Sequence, residues 1–172
     1  MSLAELLLAV TTVVLVLGAA FGMLDAGQRA HAAGSARVEA YQNARVALER
    51  LAREIRSAGQ GLPLTIPAIA IAEPSRVVIQ LDQDGDGLAL ANNEVITWRL
   101  VGTTLRRTAG AGAQPIVDNV ETLALTYLDG AGAPTANGAD VRAVAIALTA
   151  RADASPNAAA AALSTSVTLR NR

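Results

Sequence analysis

The most constraining feature of the sequence is an uncharged segment that directly follows an acid near the start of the chain. Residues 6–24 (LLLAVTTVVLVLGAAFGML) contain no charged side chain, and Glu5 precedes them. At a rise of 1.5 Å per residue, a helix over this segment is roughly 28 Å long, close to the hydrocarbon thickness of a bilayer. A carboxylate beside such a segment is costly unless it is paired. The sequence therefore predicts a membrane-length helix whose acid needs a partner.

The residues ahead of this segment are not those of an ordinary membrane signal. Secretory signals and signal anchors carry Lys or Arg before the apolar stretch, whereas this chain begins Met-Ser-Leu-Ala-Glu. Two interpretations follow. In the first, a basic leader has been removed, and the free amine of Met1 pairs with Glu5 of the same chain or of a neighbouring copy. In the second, the chain is an uncleaved anchor, and Glu5 reaches water at the membrane edge.

Composition favours a structural protein over an enzyme. The chain of 172 residues has no Cys, one His and 2% aromatic residues. This excludes disulfides, thiolate metal sites and Cys nucleophiles, and leaves little material for catalysis or base stacking. The net charge of -1 gives no preference for polyanions,. We find no phosphate-binding glycine loop, zinc-ligand spacing or nucleophile elbow, so no enzymatic activity and no nucleic-acid site is expected.

The helix is predicted to continue beyond the apolar segment, to about residue 58. No Pro interrupts residues 25–58, and Gly59, Gly61 and Pro63 supply the end,. Apolar residues recur at steps of three and four from residue 38 onward, which predicts an amphipathic second half that covers a core. This apolar stripe consists of Val38, Tyr41, Ala44, Leu48, Leu51, Ile55 and Ala58.

The rest of the chain predicts a mainly antiparallel sheet and an α+β fold. No helical pattern separates the β-rich segments, and Gly102 favours a tight hairpin between two of them,. The loops are placed at 109–115, 129–140 and 153–162. We divide the chain into a hydrophobic segment, 1–27, and a globular domain, 28–172, made of the helix 28–58 and a sheet within 64–171. The predicted strands are Ser75–Leu81, Glu94–Val101, Thr103–Thr108, Val120–Leu128, Val141–Ala150 and Leu163–Arg170.

The most chemical-looking stretch is the acidic run DQDGDG at residues 82–87. Alternating carboxylates with glycine turns suit a hard cation such as Ca²⁺, and the run resembles the start of an EF-hand loop. The final EF-hand ligand position falls on Asn93, with Glu94 one place late, and strands rather than helices flank the run. A Ca²⁺-stabilised loop between strands and a solvated turn both remain open. The candidate ligands are Asp82, Asp84, Asp86, Asn93 and Glu94.

Three other features suggest structural roles. His31 has no nearby Cys, second His or Ser-Asp partner, so we expect neither a metal nor a catalytic role for it. Arg106 and Arg107 are interpreted as part of a solvated face. Trp98 is expected in the core or in a hairpin.

Taken together, these residues resemble a mature type IV pilin or pseudopilin. SLAELLLAV at the start places an acid at the fifth position of an apolar helix, as in that family. YQNARVALERLAREIRSAGQG, the DQDGDG loop, EVITWRLVGTTLRRT and the ending LSTSVTLRNR are similar to W-type minor pilins, which are related to the J-type pseudopilins of type II secretion. The resemblance covers most of the chain. The sequence lacks the proline that many pilins carry in the apolar helix. Gly18 and Gly22 are the residues expected to soften the helix instead.

The resemblance implies a pilin fold and a filament subunit without enzymatic activity. It implies that a prepilin peptidase removes a leader and that Met1 is N-methylated. The subunit then waits in the bacterial inner membrane with its C-terminal domain outside the cytoplasm. The assembly platform next packs it with other copies and other pilins into an extracellular filament, where Glu5 pairs with a neighbouring Met1 amine. A tip pseudopilin of a secretion system and a bitopic cation-binding sensor are the alternatives. No cofactor is required, and Ca²⁺ at 82–94 is the single candidate.

Overall fold

The computed structural model describes residues 2–90, 92–110, 112–153, 155 and 158–172. Within them, one long helix is followed only by strands, so the predicted α+β class is confirmed. The elements in chain order are α1 (Leu3–Ser57), β1 (Ile69–Glu73), β2 (Arg76–Gln80), β3 (Val95–Val101), β4 (Thr104–Ala109), β5 (Ala113–Val117), β6 (Val120–Leu128), β7 (Ala143–Arg151) and β8 (Ala160–Thr168).

The helix α1 ends where the glycines predicted it would. Gly59 takes a positive φ of 77°, a conformation that glycine adopts without steric cost and that commonly ends helices,. Its N–H donates to the carbonyl of Gln80 at 2.7 Å instead of continuing the helix. The C-terminal end of α1 is thereby attached to β2.

The strands form two antiparallel sheets, a division that the sequence analysis did not predict. The first sheet has five strands in the order β1-β2-β3-β4-β5, and the second has three in the order β6-β7-β8. Two strands, β1 and β5, were not predicted. β5 lies partly in a segment interpreted as a loop, and it contains Pro115, which is tolerated because β5 is an edge strand,. β8 begins at Ala160, inside another predicted loop.

The hairpin predicted at Gly102 is present. Val101 pairs with Thr104, which leaves Gly102 and Thr103 as a two-residue connection between β3 and β4. Gly102 has φ 59°, as the favoured two-residue hairpin turns require,.

One hydrophobic core joins the second half of α1 to both sheets. Leu51 and Ile55 of α1 are fully buried against residues such as Trp98 of β3 and Ile146 of β7. The predicted stripe was wrong at its start, because Val38 and Tyr41 are exposed. The buried face instead passes through small residues that let the helix approach the sheets closely. These residues are Ala40, Ala44, Ala47 and Ala52.

The chain divides into two compact units, with the boundary between Ala36 and Arg37. In the first unit, residues 2–35 are all exposed and contribute nothing to a core. In the second unit, buried residues begin at Ala40 and extend to Leu169. The second unit therefore contains every described core residue, and we expect it to fold without the apolar segment.

Candidate functional site

Glu5 lies in the first turn of α1, where it forms a reciprocal cap with Ser2. The Ser2 N–H donates to Glu5 Oε2 at 2.8 Å, and the Glu5 N–H donates to Ser2 Oγ at 3.3 Å. This is the capping-box arrangement, in which residues three apart satisfy two N–H groups that lack helical partners. The spacing Ser-x-x-Glu is visible in the sequence and is typical of this cap, but only the charge of Glu5 was interpreted, so its capping role was not predicted.

The cap does not neutralise the carboxylate. Glu5 is exposed, and its described partner is a neutral backbone amide. The positive end of the helix dipole stabilises an anion here by about 0.3–1 kcal/mol, much less than the cost of placing a bare carboxylate in hydrocarbon. Met1, the other predicted assembly and methylation residue, lies outside the described residues. Pairing of its amine with Glu5 stays a prediction.

The segment after Glu5 has the length and composition of a membrane-spanning helix. α1 contains an 18-residue window with a mean hydropathy of 2.4, none of which is buried. The polar hydroxyls in this segment are satisfied internally: Thr11 Oγ1 donates to the carbonyl of Leu7 at 3.0 Å, and Thr12 Oγ1 donates to the carbonyl of Leu8. The segment therefore presents an apolar surface with its hydroxyl donors already bonded.

The two glycines proposed to soften this helix lie within unbroken helix. α1 continues through Gly18 and Gly22, and apart from the adjacent helix backbone no described residue lies within 4 Å of the position that a Cβ would occupy at either one. No packing contact among the described residues accounts for these two glycines. Their effect on helix stiffness stays a prediction.

The acidic run lies between β2 and β3, as predicted, and its first carboxylate organises the turn. Asp82 Oδ1 accepts the N–H of Gly85 at 2.6 Å, and Asp82 Oδ2 accepts the N–H of Gly87 at 2.9 Å. These bonds, chiefly the one from Gly85, lower the pKa of Asp82 below its ordinary value because they favour the charged form,. Asp82 is thus an anion that holds the loop in shape.

Glu94 holds the same loop from the opposite end. It is buried, with 1% of its surface exposed. Its Oε1 accepts the N–H of Gln83 at 2.9 Å and of Asp84 at 3.3 Å, and its Oε2 accepts the N–H of Leu90 at 3.1 Å. Charge-assisted bonds to several backbone amides are the way in which a buried carboxylate is stabilised. Glu94 was predicted as a metal ligand, and this structural role was not predicted.

The structure brings three of the five candidate ligands together. One oxygen from each of Asp82, Asp84 and Asp86 lies within 4.8 Å of the others, and this is the only such group of three or more His, Asp or Glu residues among those described. Glu94 is not part of the group, and Asn93 is exposed with φ 73°. Ca²⁺ binding by the loop stays a prediction.

His31 is exposed on α1 and belongs to no cluster of possible metal ligands within the described residues. Its expected lack of a catalytic or metal role stays a prediction.

A polar cluster that sequence reasoning missed connects α1 to the five-stranded sheet. Glu54 accepts the indole N–H of Trp98 at 2.5 Å and pairs with Arg107 Nε at 2.8 Å. The assignment to a solvated face was therefore wrong for Arg107, whose side chain is only 15% exposed. For Arg106, which is half-buried, the assignment stays a prediction. The assignment failed because Glu54 lies next to the apolar stripe and points toward the sheet.

No protein-family model matches this sequence, and no curated protein matches it.

Proposed function

We propose that this chain is a structural subunit of a type IV pilus or a related pilus-like filament. The observation that carries the proposal is the contrast within α1, an unbroken helix from Leu3 to Ser57. One face of its second half is buried by the chain's own sheets, whereas residues 6–24 are uncharged and exposed throughout. A contiguous apolar surface of this size requires a membrane or other protein surfaces to cover it.

A filament subunit meets both environments, the membrane first and other protein surfaces afterwards. Before assembly, the apolar segment spans the inner membrane, with the C-terminal domain outside the cytoplasm. After assembly, the same segments pack against one another in the filament core. The partners of the chain in this proposal are further copies of itself and other pilins. They also include the assembly platform and the prepilin peptidase that prepares the N-terminus. The short hydroxyl side chains and the glycines of the segment suit close helix packing.

Glu5 is the residue that we assign to assembly. In the isolated chain, the described partner of this acidic side chain is one neutral backbone amide, which leaves its negative charge without a cation. When the helices pack together, that charge must meet a cation, and the N-terminal amine of a neighbouring subunit provides one. Because an unpaired carboxylate in an apolar core is strongly unfavourable, the pairing also penalises a subunit that docks in the wrong register.

The capping box makes it possible to separate this charge role from helix capping. Glu5→Gln keeps the side-chain oxygen of a capping box but removes the charge. We expect the Glu5→Gln protein to be produced and inserted into the membrane at normal levels and to be lost from sheared surface filaments. The measurement is the amount of the chain in the membrane and sheared fractions, by quantitative immunoblot in cells that lack the native copy.

Ser2→Ala is the matched control. It removes the hydroxyl that accepts the Glu5 N–H, but keeps the carboxylate, at a cost of about 1 kcal/mol in helix stability. We expect near-normal incorporation of the Ser2→Ala protein. If Glu5→Gln assembles normally, or if both variants fail equally, the charge of Glu5 has no special role in assembly.

A tip pseudopilin of a type II secretion system has the same requirement for an apolar helix and an acid. The two functions differ in stoichiometry. We expect the chain in sheared surface filaments, and co-purification with only a few other pseudopilins would favour the secretion function instead.

A further inference from the structure

A polar cleft lies where the C-terminal end of α1 meets the residues that follow β8. Its volume is about 530 Å³, which falls within the range of roughly 300–1,000 Å³ that is usual for ligand pockets. Three of the side chains that line it are arginines, so we call it the arginine cleft. The described residues that line it are Arg53, Arg56, Ser57, Gln60, Arg170 and Asn171.

Backbone hydrogen bonds hold the two sides of the arginine cleft together. The N–H of Arg170 donates to the carbonyl of Arg56 at 3.3 Å. The side-chain amide of Asn171 donates to the carbonyls of Ser57 and Ala58 at 3.4 and 3.3 Å. These carbonyls belong to the end of α1, where helical partners are lacking. Backbone and amide donors therefore satisfy them, and the guanidinium groups are not needed as helix caps.

The three guanidinium groups of the arginine cleft lack an acidic partner. Among the described residues, no ion pair involves any of them. The acids of α1 closest to them in the chain, Glu49 and Glu54, are paired at 2.8 Å with Arg45 and Arg107. Three positive charges around one cleft repel one another, and an anion between them removes that repulsion.

Two nearby features act against an anion, but both are weaker than the arginines. The C-terminal end of a helix carries the equivalent of about half a negative charge, which is less than the charge of a single guanidinium. The acidic loop is close, since the Asp82 N–H donates to the carbonyl of Gln60 at 2.8 Å. The Asp82 carboxylate is already bonded to loop amides, and Asp84 and Asp86 are exposed and therefore screened by salt,.

We propose that the arginine cleft binds a small phosphate-class oxyanion with at least two negative charges. Guanidinium groups donate pairs of N–H groups in the geometry that such oxygens accept, and the side-chain amide of Gln60 adds a neutral donor. This site is independent of the proposed filament function.

The lining favours a small free anion over a lipid headgroup that carries acyl chains. No apolar side chain is among the described residues that line the arginine cleft. An adjoining hollow shares Arg53 and Arg56, but its apolar residues, Leu48 and Ala52, are buried. An acyl chain would therefore find no apolar surface here to cover it, whereas a compact hydrophilic anion needs none.

The test is a calorimetric titration of the full chain with pyrophosphate in an uncharged detergent. Salt at about 0.15 M screens general attraction to positive charge, and the absence of divalent cations prevents a metal-bridged complex at the acidic loop. We expect saturable binding and a higher melting temperature with pyrophosphate, because the ligand binds the folded state. Arg56→Gln and Arg170→Gln should each weaken binding roughly tenfold. Melting without pyrophosphate establishes that each variant is folded.

Arg99→Gln is the matched control. It removes the same charge from an exposed position in β3, where Arg99 lies opposite Arg76 and Arg106 and outside the cleft lining. Its affinity for pyrophosphate should equal that of the unmodified chain. Absence of saturable binding overturns the proposal, as does binding that survives both cleft variants or that Arg99→Gln weakens equally. If pyrophosphate fails and mixed micelles with phosphatidylglycerol bind instead, the cleft takes a lipid headgroup and the proposal is wrong.

Discussion

The two halves of α1 both present apolar surface, but only one half is covered by the rest of the chain. Leu51 and Ile55 in the second half have no exposed surface, whereas Leu15 and Val16 in the first half are 71% and 65% exposed. The second half has a predicted and observed partner in the sheets. The first half has no partner within the described chain.

This difference separates the residues that stabilise the fold from the apolar residues that remain exposed to other molecules. Residues that stabilise the fold lie from Ala40 onward. The apolar residues before Ala36 add nothing to that core, and the helix that carries them is long and apolar enough to cross a membrane,. Equivalent substitutions in the two halves should therefore change the free energy of unfolding by different amounts.

The largest expected effect comes from truncating leucine on each side. Leu51→Ala should lower the free energy of unfolding of the folded unit by about 2–5 kcal/mol, because it leaves a cavity in the core. Leu15→Ala should leave that free energy unchanged. Chemical denaturation of the full chain in detergent, monitored by Trp98 fluorescence, measures both. Equal destabilisation by the two variants would contradict the claim that only the second half of α1 contributes to the core.

The next effect concerns the polar contact between α1 and the five-stranded sheet. Glu54→Ala leaves the Trp98 indole N–H and the Arg107 guanidinium without their carboxylate, and should destabilise the folded unit by about 2–3 kcal/mol. Glu49→Ala removes an exposed pair with Arg45 and should leave the melting temperature unchanged. Thermal unfolding of both variants provides the measurement. An unchanged melting temperature of the Glu54→Ala protein would show that the cluster adds no stability.

A smaller effect follows from the lowered pKa of Asp82, whose ordinary value is near 3.8. Because the folded pKa lies below the unfolded one, the carboxylate stabilises the fold fully above about pH 4, and this contribution is lost as the pH falls through the folded pKa. Asp82→Asn should therefore flatten the acid limb of stability against pH. The free energy of unfolding of residues 28–172, measured between about pH 2 and 6, tests this. A variant with an unaltered acid limb contradicts the assigned role.

The smallest effect is the one expected of Ca²⁺ on the acidic loop. If Asp82, Asp84 and Asp86 hold the ion, millimolar Ca²⁺ should release or absorb heat in calorimetry and raise the melting temperature of residues 28–172. Asp84→Asn removes one charged ligand and should reduce both signals. The absence of heat and of any melting shift would leave the run as a solvated turn.

Elements with strong local patterns could be predicted from the sequence, and elements defined by tertiary pairing could not. The end of α1 and the hairpin at Gly102 depend on local glycine chemistry, and both were predicted. β5 was missed because Pro115 argues against a strand unless the strand is at an edge. The division into two sheets depends on which strands meet at long range, and no local pattern encodes that.

In the candidate site as well, local patterns predicted individual residues but not their tertiary partners. The charge of Glu5 drew attention from sequence alone, but its reciprocal bonds with Ser2 required geometry. Glu94 was assigned by its position relative to an EF-hand pattern, yet its burial and its three backbone donors give it a structural role. Glu54 was overlooked because helical periodicity places it next to the apolar stripe and cannot indicate a polar partner on the sheet.

The most direct test of the central claim uses the absence of cysteine from the chain. Single cysteines are introduced at Val16 in the apolar half and, as a control, at exposed Thr126 of β6. Sheared surface filaments are then treated with a membrane-impermeant maleimide. We expect the Thr126→Cys protein in the filaments to be labelled and the Val16→Cys protein in the filaments to be protected until the filaments are dissociated. Absence of the chain from sheared filaments, or equal labelling at both positions, would contradict the claim that the first half of α1 forms a filament core.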